Sequence, residues 1–481
     1  MNKAFIFNGL GAMLLAATSC VQAKQEQPNI IYILADDLGY GDLGCYGQQI
    51  IRTPHIDKLA ADGMLFTQHY AGTTVSAPSR SALLTGLHTG HTPIRGNKEV
   101  LPEGQYPLPE DTYTIAKMLQ SAGYVTGAFG KWGLGYPGSE GEPNKQGFDE
   151  FYGYNCQRLA HNYYPYHLYH NEEKIILEGN AGEKKTEYAQ DLIQQHTLNF
   201  IRDNRDKKFF LFMSYVLPHA ELVSPDDSIA ALYRGKIQER KPYMGVDDSS
   251  NPLYKNGGYG SSEYPHADFA SMITRFDAYV GQVVNELKKS GLEKNTLIIF
   301  TSDNGPHKEG GADPNFFKSY GPLRGFKRDL FEGGIRVPFI ASWPGTIKPG
   351  VKSDHISAFW DMMPTFSELA RVKLPVPTDG ISMVPTLLSM KGQQEHPYLY
   401  WEFHEGGGKV AVRKGNWKGI KLNYGQNPDA DMLLFDLSTD IHEDHNIAAE
   451  HPDIVAELEA IIKEAHVDSP IFNFGSPTII N

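Results

Sequence analysis

The sequence predicts an α/β protein with a mostly parallel central sheet flanked by helices, followed by a smaller C-terminal α+β unit. Three observations carry this reading. Unbroken apolar runs such as Asn29-Ile30-Ile31-Tyr32-Ile33-Leu34-Ala35 suit strands buried on both faces of a parallel sheet. Such runs end in polar residues and are followed by helical patterns. Beyond residue 388 the pattern changes to short alternating runs separated by turns, the mark of an antiparallel sheet.

Taken in order, the first strand, 29–35, ends in Asp36-Asp37. A helix is expected over 54–62, stopped at Gly63, and another over 112–122, stopped at Gly123. A short strand over 125–129 leads into Gly130-Lys131-Trp132. Residues 186–203 form an amphipathic helix with Leu192, Ile193, His196, Phe200 and Ile201 on one side. The strand 209–216 runs into Leu217-Pro218-His219. A long helix, 268–289, precedes the strand 297–300 and then Thr301-Ser302-Asp303-Asn304-Gly305. Ligands in open α/β sheets sit at the carboxyl ends of the strands, so Asp36, Lys131, His219 and Asp303 should converge along one edge. The stretch 220–265, rich in Gly, Pro, Tyr and Asp, reads as a long surface insertion near that edge. A boundary near 385–398 divides a large domain, 24–388, from a small one, 389–481. In the small one the runs 398–403, 409–413, 417–422 and 433–437 make a sheet, and 453–465 a closing helix after Pro452.

The chain has 481 residues and a formal charge of -13, which argues against nucleic acid as a partner. Residues 1–23 read as a secretory signal: Lys3, a mostly apolar stretch 4–17, then Val21-Gln22-Ala23 before Lys24. The alternative is a lipoprotein signal in which Cys20 carries the lipid. These readings place the protein in the periplasm, or anchored to the cell envelope through Cys20, its one route to a membrane. Cleavage at Ala23 leaves Cys45 and Cys156, a number able to pair but no disulfide framework.

The stretch Thr74-Val75-Ser76-Ala77-Pro78-Ser79-Arg80-Ser81-Ala82-Leu83-Leu84-Thr85-Gly86 organises the rest. Ser76 reads as an N-cap, Pro78 lies in the first turn, and Gly86 is a stop. A helix start attracts anions, and Arg80 lies one turn on, on the same face as Ser76. By spacing alone this is a capped helix and nothing more. Asp36-Asp37 and Asp303-Asn304 offer oxygen ligands without Cys or His, as a site for Ca²⁺ or Mg²⁺ does, although each pair is equally readable as helix caps. A lone Lys131 is ordinarily a solvated charge, and a lone His219 ordinarily structural.

The motifs add a resemblance. Ser76-Ala77-Pro78-Ser79-Arg80, four residues and Thr85-Gly86 resemble the signature of the formylglycine-dependent sulfatases, in the branch with serine at the first position. Gly130-Lys131-Trp132-Gly133-Leu134-Gly135 is similar to the family's Gly-Lys-Trp-His-Leu-Gly, with Gly133 where many members have His. Leu323-Arg324-Gly325-Phe326-Lys327 and Glu332-Gly333-Gly334-Ile335-Arg336-Val337-Pro338 resemble two further family motifs.

The resemblance implies an alkaline phosphatase-like sulfatase fold and a sulfuric ester hydrolase. It implies that Ser76 becomes formylglycine through a serine-type maturating enzyme. Ca²⁺, with Mg²⁺ as the alternative, would be held by Asp36, Asp37, Asp303 and Asn304 and would touch the formylglycine at position 76. Arg80, Lys131 and Lys327 would neutralise the sulfate, and His219 would protonate the leaving alcohol. Arg324, Glu332 and Arg336 would be structural supports. The role assigned to the missing His at Gly133 needs another group, for which His161 stands in.

The substrate expected is a sulfated glycan, with galactose or N-acetylgalactosamine carrying a 6- or 4-sulfate in host or algal material. Arg95, Asn97, His161, His404 and Glu405 are its expected contacts, against the plainer reading that the tyrosines after His161 only pack a loop. Two rival readings remain: a phosphate-ester hydrolase on the same fold, and a glycan-binding protein in which Ser76 is not matured.

Overall fold

The computed structural model describes residues 1, 27–182, 184–246, 258–475 and 478–480. The expected signal segment and Cys20 lie outside the described residues, so the secretion and lipidation readings have no structural counterpart here. No helix among the described residues is long and apolar enough to cross a membrane. Cys45 and Cys156 are both free thiols, not a pair.

The chain runs β1 (Asn29–Ala35), α1 (Pro54–Ala61), β2 (Met64–Tyr70), α2 (Ser76–Thr85), β3 (Glu99–Val100), α3 (Ile115–Ser121), β4 (Val125–Lys131), β5 (Glu150–Tyr154), β6 (His167–His170), β7 (Glu173–Ile176), α4 (Ala189–Asp203) and β8 (Phe209–Ser214). It continues through α5 (Pro265–Lys289), β9 (Thr296–Ser302), α6 (Pro314–Phe317), α7 (Glu332–Ile335), β10 (Arg336–Ser342), β11 (Val351–Ser353), β12 (Ser357–Ala358), α8 (Met362–Ala370) and α9 (Val384–Leu387). The last elements are β13 (Leu399–Phe403), β14 (Lys409–Lys414), β15 (Trp417–Leu422), β16 (Leu433–Asp436), α10 (Pro452–Ala465) and β17 (Ile479–Ile480).

The main sheet has the order β11-β2-β10-β9-β1-β8-β4-β5-β6-β7, with β12 on β2. Its centre, β9-β1-β8-β4-β5, is parallel throughout. The flanks are not: β10 runs antiparallel to β9 and β2, and β6 and β7 close the other side antiparallel. The sheet is therefore mixed, with the expected parallel core. β1, β8 and β9 are buried at every residue, which is why they read as unbroken apolar runs. Tyr32 packs edge-on against Phe366 of α8, while Phe300, in register with Ile33, packs against Phe276 of α5. Successive strand residues point to opposite faces, so α8 and α5 cover opposite faces of the sheet.

β13 to β16 form the expected antiparallel sheet, with α10 packed against β14 and β15. Its other side meets the main body: Trp401, Ala411 and Ile420 share a buried cluster with Tyr70, Val75 and Trp360. Glu332 sits at that seam. It accepts from Tyr70 (2.6 Å), Arg336 (3.1 Å) and Lys418 (2.8 Å), and its own N–H donates to Glu443 (2.6 Å). Against the upward push of burial, Lys418 and Arg336 hold the Glu332 carboxyl down at about 2. Arg324 bonds the Glu443 carbonyl (2.5 Å) and lies over Phe331, so it too works at this seam.

Candidate active site

Ala35 of β1 pairs with Ser302 of β9 in parallel register, so Asp36-Asp37 and Asp303-Asn304 leave the sheet side by side. All four are completely buried. Asp37 adopts left-handed backbone (φ 64°), and its N–H donates to Asp303 Oδ1 at 3.1 Å. Asn304 Nδ2 donates to Asp37 Oδ1 at 2.7 Å, while Asn304 Oδ1 is buried with no hydrogen-bond partner.

Ser76 is the first residue of α2, not its N-cap as the spacing suggested. The cap is Val75, in extended backbone and with no side-chain bond. A capping side chain needs non-helical backbone, and Ser76 is already helical, so its Oγ is free to turn toward the strand ends. There it donates to Asp36 Oδ1 at 3.0 Å. The Ala77 N–H at the helix start is satisfied from outside, by Asn97 Oδ1 at 2.9 Å. Gly86 ends the helix in left-handed backbone (φ 71°), as expected.

Three buried cations close around these groups. Lys131 is the last residue of β4; its Nζ bonds Asp36 and lies 3.3 Å from Ser76 Oγ. Arg80 sets Nε and Nη2 on Asp303 Oδ2 (3.1 and 3.0 Å), with Nη2 3.6 Å from Asp36. Its Nη1 donates to the Lys131 carbonyl (3.2 Å) and to Ser214, whose own hydroxyl donates to that carbonyl (2.6 Å). Arg80 thus fixes Lys131 as well as the carboxylates. Lys327 reaches in from the far side, with Nζ at 2.8 Å from Asp37, 3.2 Å from His219 Nε2 and 3.3 Å from Glu309.

His219 follows β8, and its Nδ1 stands 2.6 Å from the Ala220 carbonyl. A carbonyl only accepts, so Nδ1 carries the hydrogen and Nε2 presents its lone pair to Lys327. Burial, then the Lys327 charge, pushes the His219 pKa well below the usual range. Although burial opposes it, Asp37 and Glu309 hold the Lys327 ammonium well above its usual value. Burial raises the Asp303 carboxyl, and the neighbouring Asp36 charge raises it further. Asp36 itself is held low by Lys131, His219 and Arg80 despite its burial.

Above this floor opens a cavity of about 360 Å³, lined by Asn97, Gln157, His161, His219, Lys327 and Glu405 among others. His161 stacks on His219 (5.1 Å between centroids, 16°). Its Nδ1 has no hydrogen-bond partner, and burial with Lys131 and Lys327 nearby pushes its pKa down to about 3. Gly133 adopts φ 82°, and a Cβ there would stand 3.0 Å from Gln157 Cγ. The chain has filled that space with Gln157, which donates to Asn97 (3.1 Å).

Not every expected contact reaches the cavity. Arg95 is buried against the small domain, donating to Thr92 O (3.1 Å) and Val467 O (2.5 Å), 3.8 Å from Glu402. His404 is pinned on Glu402 (2.7 Å) and stacked on Phe474, beside a separate void of about 20 Å³. Asn97 and Glu405 do line the cavity, but Asn97 also holds the α2 start, and Glu405 accepts the Asn97 N–H at 3.4 Å. Glu309, Gln157, Tyr259 and Arg328 were not anticipated, although all border the same space or its lysine. Glu309 lies six residues past Asp303 and Arg328 follows Lys327, which was signal enough; Gln157 and Tyr259 have none.

Comparison with known proteins identifies the family and the fold. A family model described as Sulfatase matches residues 28–372. A second, described as N-sulphoglucosamine sulphohydrolase, C-terminal, matches residues 325–468. The chain is 30% identical over 521 residues to an N-acetylgalactosamine-6-O-sulfatase of Bacteroides thetaiotaomicron, covering 93% of this chain and 96% of that one. It is 31% identical over 521 residues to human arylsulfatase A, covering 97% and 93%. Its fold superposes on the crystal structure of Ps i-CgsB in complex with k-i-k-neocarrahexaose with a TM-score of 0.75, at 30% identity, over 92% of this chain and 93% of the other.

Proposed function

The chain belongs to the sulfatase family and is a sulfuric ester hydrolase, and from that premise we propose that it removes sulfate from a carbohydrate by way of formylglycine at position 76. One observation carries the reading: Ser76 Oγ and Lys131 share Asp36, Lys327 binds the adjacent Asp37, and Lys327 with His219 lines a polar cavity.

The residues fit a hard cation. Asp36, Asp37, Asp303 and Asn304 are buried oxygen donors, and Asn304 Oδ1 is unpaired. Ca²⁺ suits such a carboxylate-rich set better than Mg²⁺. Asp36, Asp37 and His219 also bring ligand atoms within 4.8 Å, as do Asp37, His307 and Glu309. Those two groups together would hold a second metal, as in a two-metal phosphate-ester hydrolase. The Lys327 ammonium already lies among Asp37, Glu309 and His219, which favours one metal and a sulfate ester.

When bound, the cation would lower the pKa of the attacking hydroxyl and draw charge from the sulfate. Formylglycine would supply a hydrated aldehyde whose second hydroxyl allows sulfate to be expelled afterwards. The chain's own residues do the rest. Lys131 orients the side chain at 76, and Arg80 keeps Lys131 and Asp303 in place. Lys131 and Lys327 donate to sulfate oxygens, which suits an in-line transfer through a charge-rich transition state. His219 keeps its Nδ1 hydrogen on Ala220, so the proton it passes to the leaving alcohol through Nε2 is one that Nε2 first takes from the Lys327 ammonium 3.2 Å away. His161, neutral and unpaired at Nδ1, takes up a proton in place of a histidine at 133.

The name of the Bacteroides relative, an N-acetylgalactosamine-6-O-sulfatase, supports a galactose-type sugar, and the k-i-k-neocarrahexaose complex supports a carbohydrate. Glu405, Asn97 and Gln157 are the polar groups that meet its hydroxyls. The segment 1–23 supports export to the periplasm, or to the envelope if Cys20 is lipidated. A serine-type maturating enzyme is the required partner. The test is sulfate release by protein co-produced with that enzyme, from 6- and 4-sulfated galactose and N-acetylgalactosamine beside N- and 6-sulfated glucosamine. Activity on glucosamine alone would overturn the sugar, and activity on aryl sulfates alone the carbohydrate.

A further inference from the structure

Glu150 opens β5, His170 closes β6 and His196 lies on α4, and their three ligand atoms all fall within 4.8 Å of one another. Glu150 pairs with Gly127, four residues before the Lys131–Tyr154 pair, which sets the cluster about 13 Å down the strands from the catalytic edge. Tyr152 stacks on His196 (3.7 Å, 9°) and pairs across the ladder with His170, so both rings are held by packing. Their polar atoms are poorly used. His170 Nε2 stands 3.6 Å from Glu150, beyond a good hydrogen bond, and His196 makes ring contacts with Tyr152 and His170 but no hydrogen bond to any described residue.

Two other histidine–carboxylate groups among the described residues are closed. His88 Nδ1 accepts the Gly90 N–H, so its Nε2 carries a hydrogen toward Asp379 and has no lone pair to give. Glu402 is already bonded to His404 (2.7 Å) and His466 (2.6 Å). At the β5–β6–α4 cluster the groups are gathered and left open. Burial and the adjacent His170 lower the His196 pKa, which keeps its ring neutral and its lone pair available. Burial raises the Glu150 carboxyl, with the Asp203 charge adding to it and His170 opposing, as in a site short of positive charge. Two imidazoles and one carboxylate suit a borderline divalent ion, whereas the all-oxygen catalytic set suits a hard one.

We propose that Glu150, His170 and His196 form a surface site for Zn²⁺ or a like borderline cation, with its fourth position open to water. The test is calorimetric titration of the matured enzyme with Zn²⁺ at pH 7.5, with excess Ca²⁺ present to fill the catalytic site. Wild type should take up one Zn²⁺ that His170→Ala and His196→Ala lose or bind at least about tenfold more weakly, the least that loss of an outer-shell partner costs. Unchanged aryl sulfatase activity would show both variants folded. Wild type alone gives a second readout: one equivalent of Zn²⁺ should shield His170 and His196 from diethylpyrocarbonate, as read by peptide mass. Equal Zn²⁺ binding by wild type and folded variants, or equal labelling with and without Zn²⁺, would overturn the site.

Discussion

Replacing His219 by Ala separates proton donation from anion binding. The ring is held by four contacts: Nδ1 on the Ala220 carbonyl, a face on His161 (5.1 Å), a face on His307 (5.8 Å) and an edge contact with Tyr259 (6.0 Å). Nε2 alone points at the reacting space, 3.2 Å from Lys327. In the variant, Lys327 keeps Asp37 (2.8 Å) and Glu309 (3.3 Å), so the charge that binds sulfate stays in place. Loss of ring packing would slow every substrate alike. Loss of the proton donor would not, because an activated aryl leaving group departs without one. A positioned general acid is worth about 100- to 10,000-fold, or about 2.7 to 5.4 kcal/mol of barrier. Measured as kcat/KM, His219→Ala should lose about that factor on a sulfated sugar and less than about tenfold on 4-nitrophenyl sulfate. Equal losses on both substrates would refute the assignment and leave His219 a binding or structural residue.

Mass spectrometry of the tryptic peptide ending at Arg80 should show Ser76 lighter by two hydrogens in active protein; an unmodified serine there would sink the formylglycine mechanism. Chelation should abolish sulfate release and added Ca²⁺ restore it, whereas Asp303→Ala should bind no Ca²⁺ and stay inactive; full activity of metal-free protein would rule the cation out. Asp42, completely buried, has its carboxyl pushed up to about 7 by burial. The folded state holds that proton more tightly than the unfolded chain, whose Asp titrates near 3.9, so this contribution to stability grows as pH falls from 8 toward 4. Asp42→Asn should therefore stabilise the protein at pH 8 by up to about 4 kcal/mol, and much less at pH 4.5; the same gain at both pH values in thermal melts would contradict it.

The strands that carry the catalytic residues were legible because burial on both faces writes them as unbroken apolar runs. β10 was not: it contains Arg336 and Pro338, and its register with β2 shifts between Val337 and Phe339. β7 is mostly exposed, so its sequence has no apolar face to show. At the site, the carboxylates, Lys131 and Lys327 were found through local motifs at strand and loop ends. Ser76 was placed on the right helix but given the wrong position, since cap and first turn differ by one residue of backbone conformation. Arg95 was misplaced because its partner, Val467, is 372 residues away and leaves no local trace. Gln157, which fills the space beside Gly133, has no motif at all.

The Glu332 seam constrains how such a chain can be recombined. Its partners come from β10, β2 and the small sheet at once, and the stretch 325–468 contains its charges, Glu332, Arg336, Lys418 and Glu443, together. A chimera cut near residue 388, taking its small domain from a relative that lacks the lysine, would part Glu332 from Lys418 at 0% exposure and leave it Arg336 alone. Removing one member of a buried pair costs about 3–5 kcal/mol, a large share of a protein's net stability. A crossover placed ahead of residue 325 moves all four charges and leaves the catalytic strands behind, so inheritance, natural or engineered, should respect that point rather than the visible change in architecture.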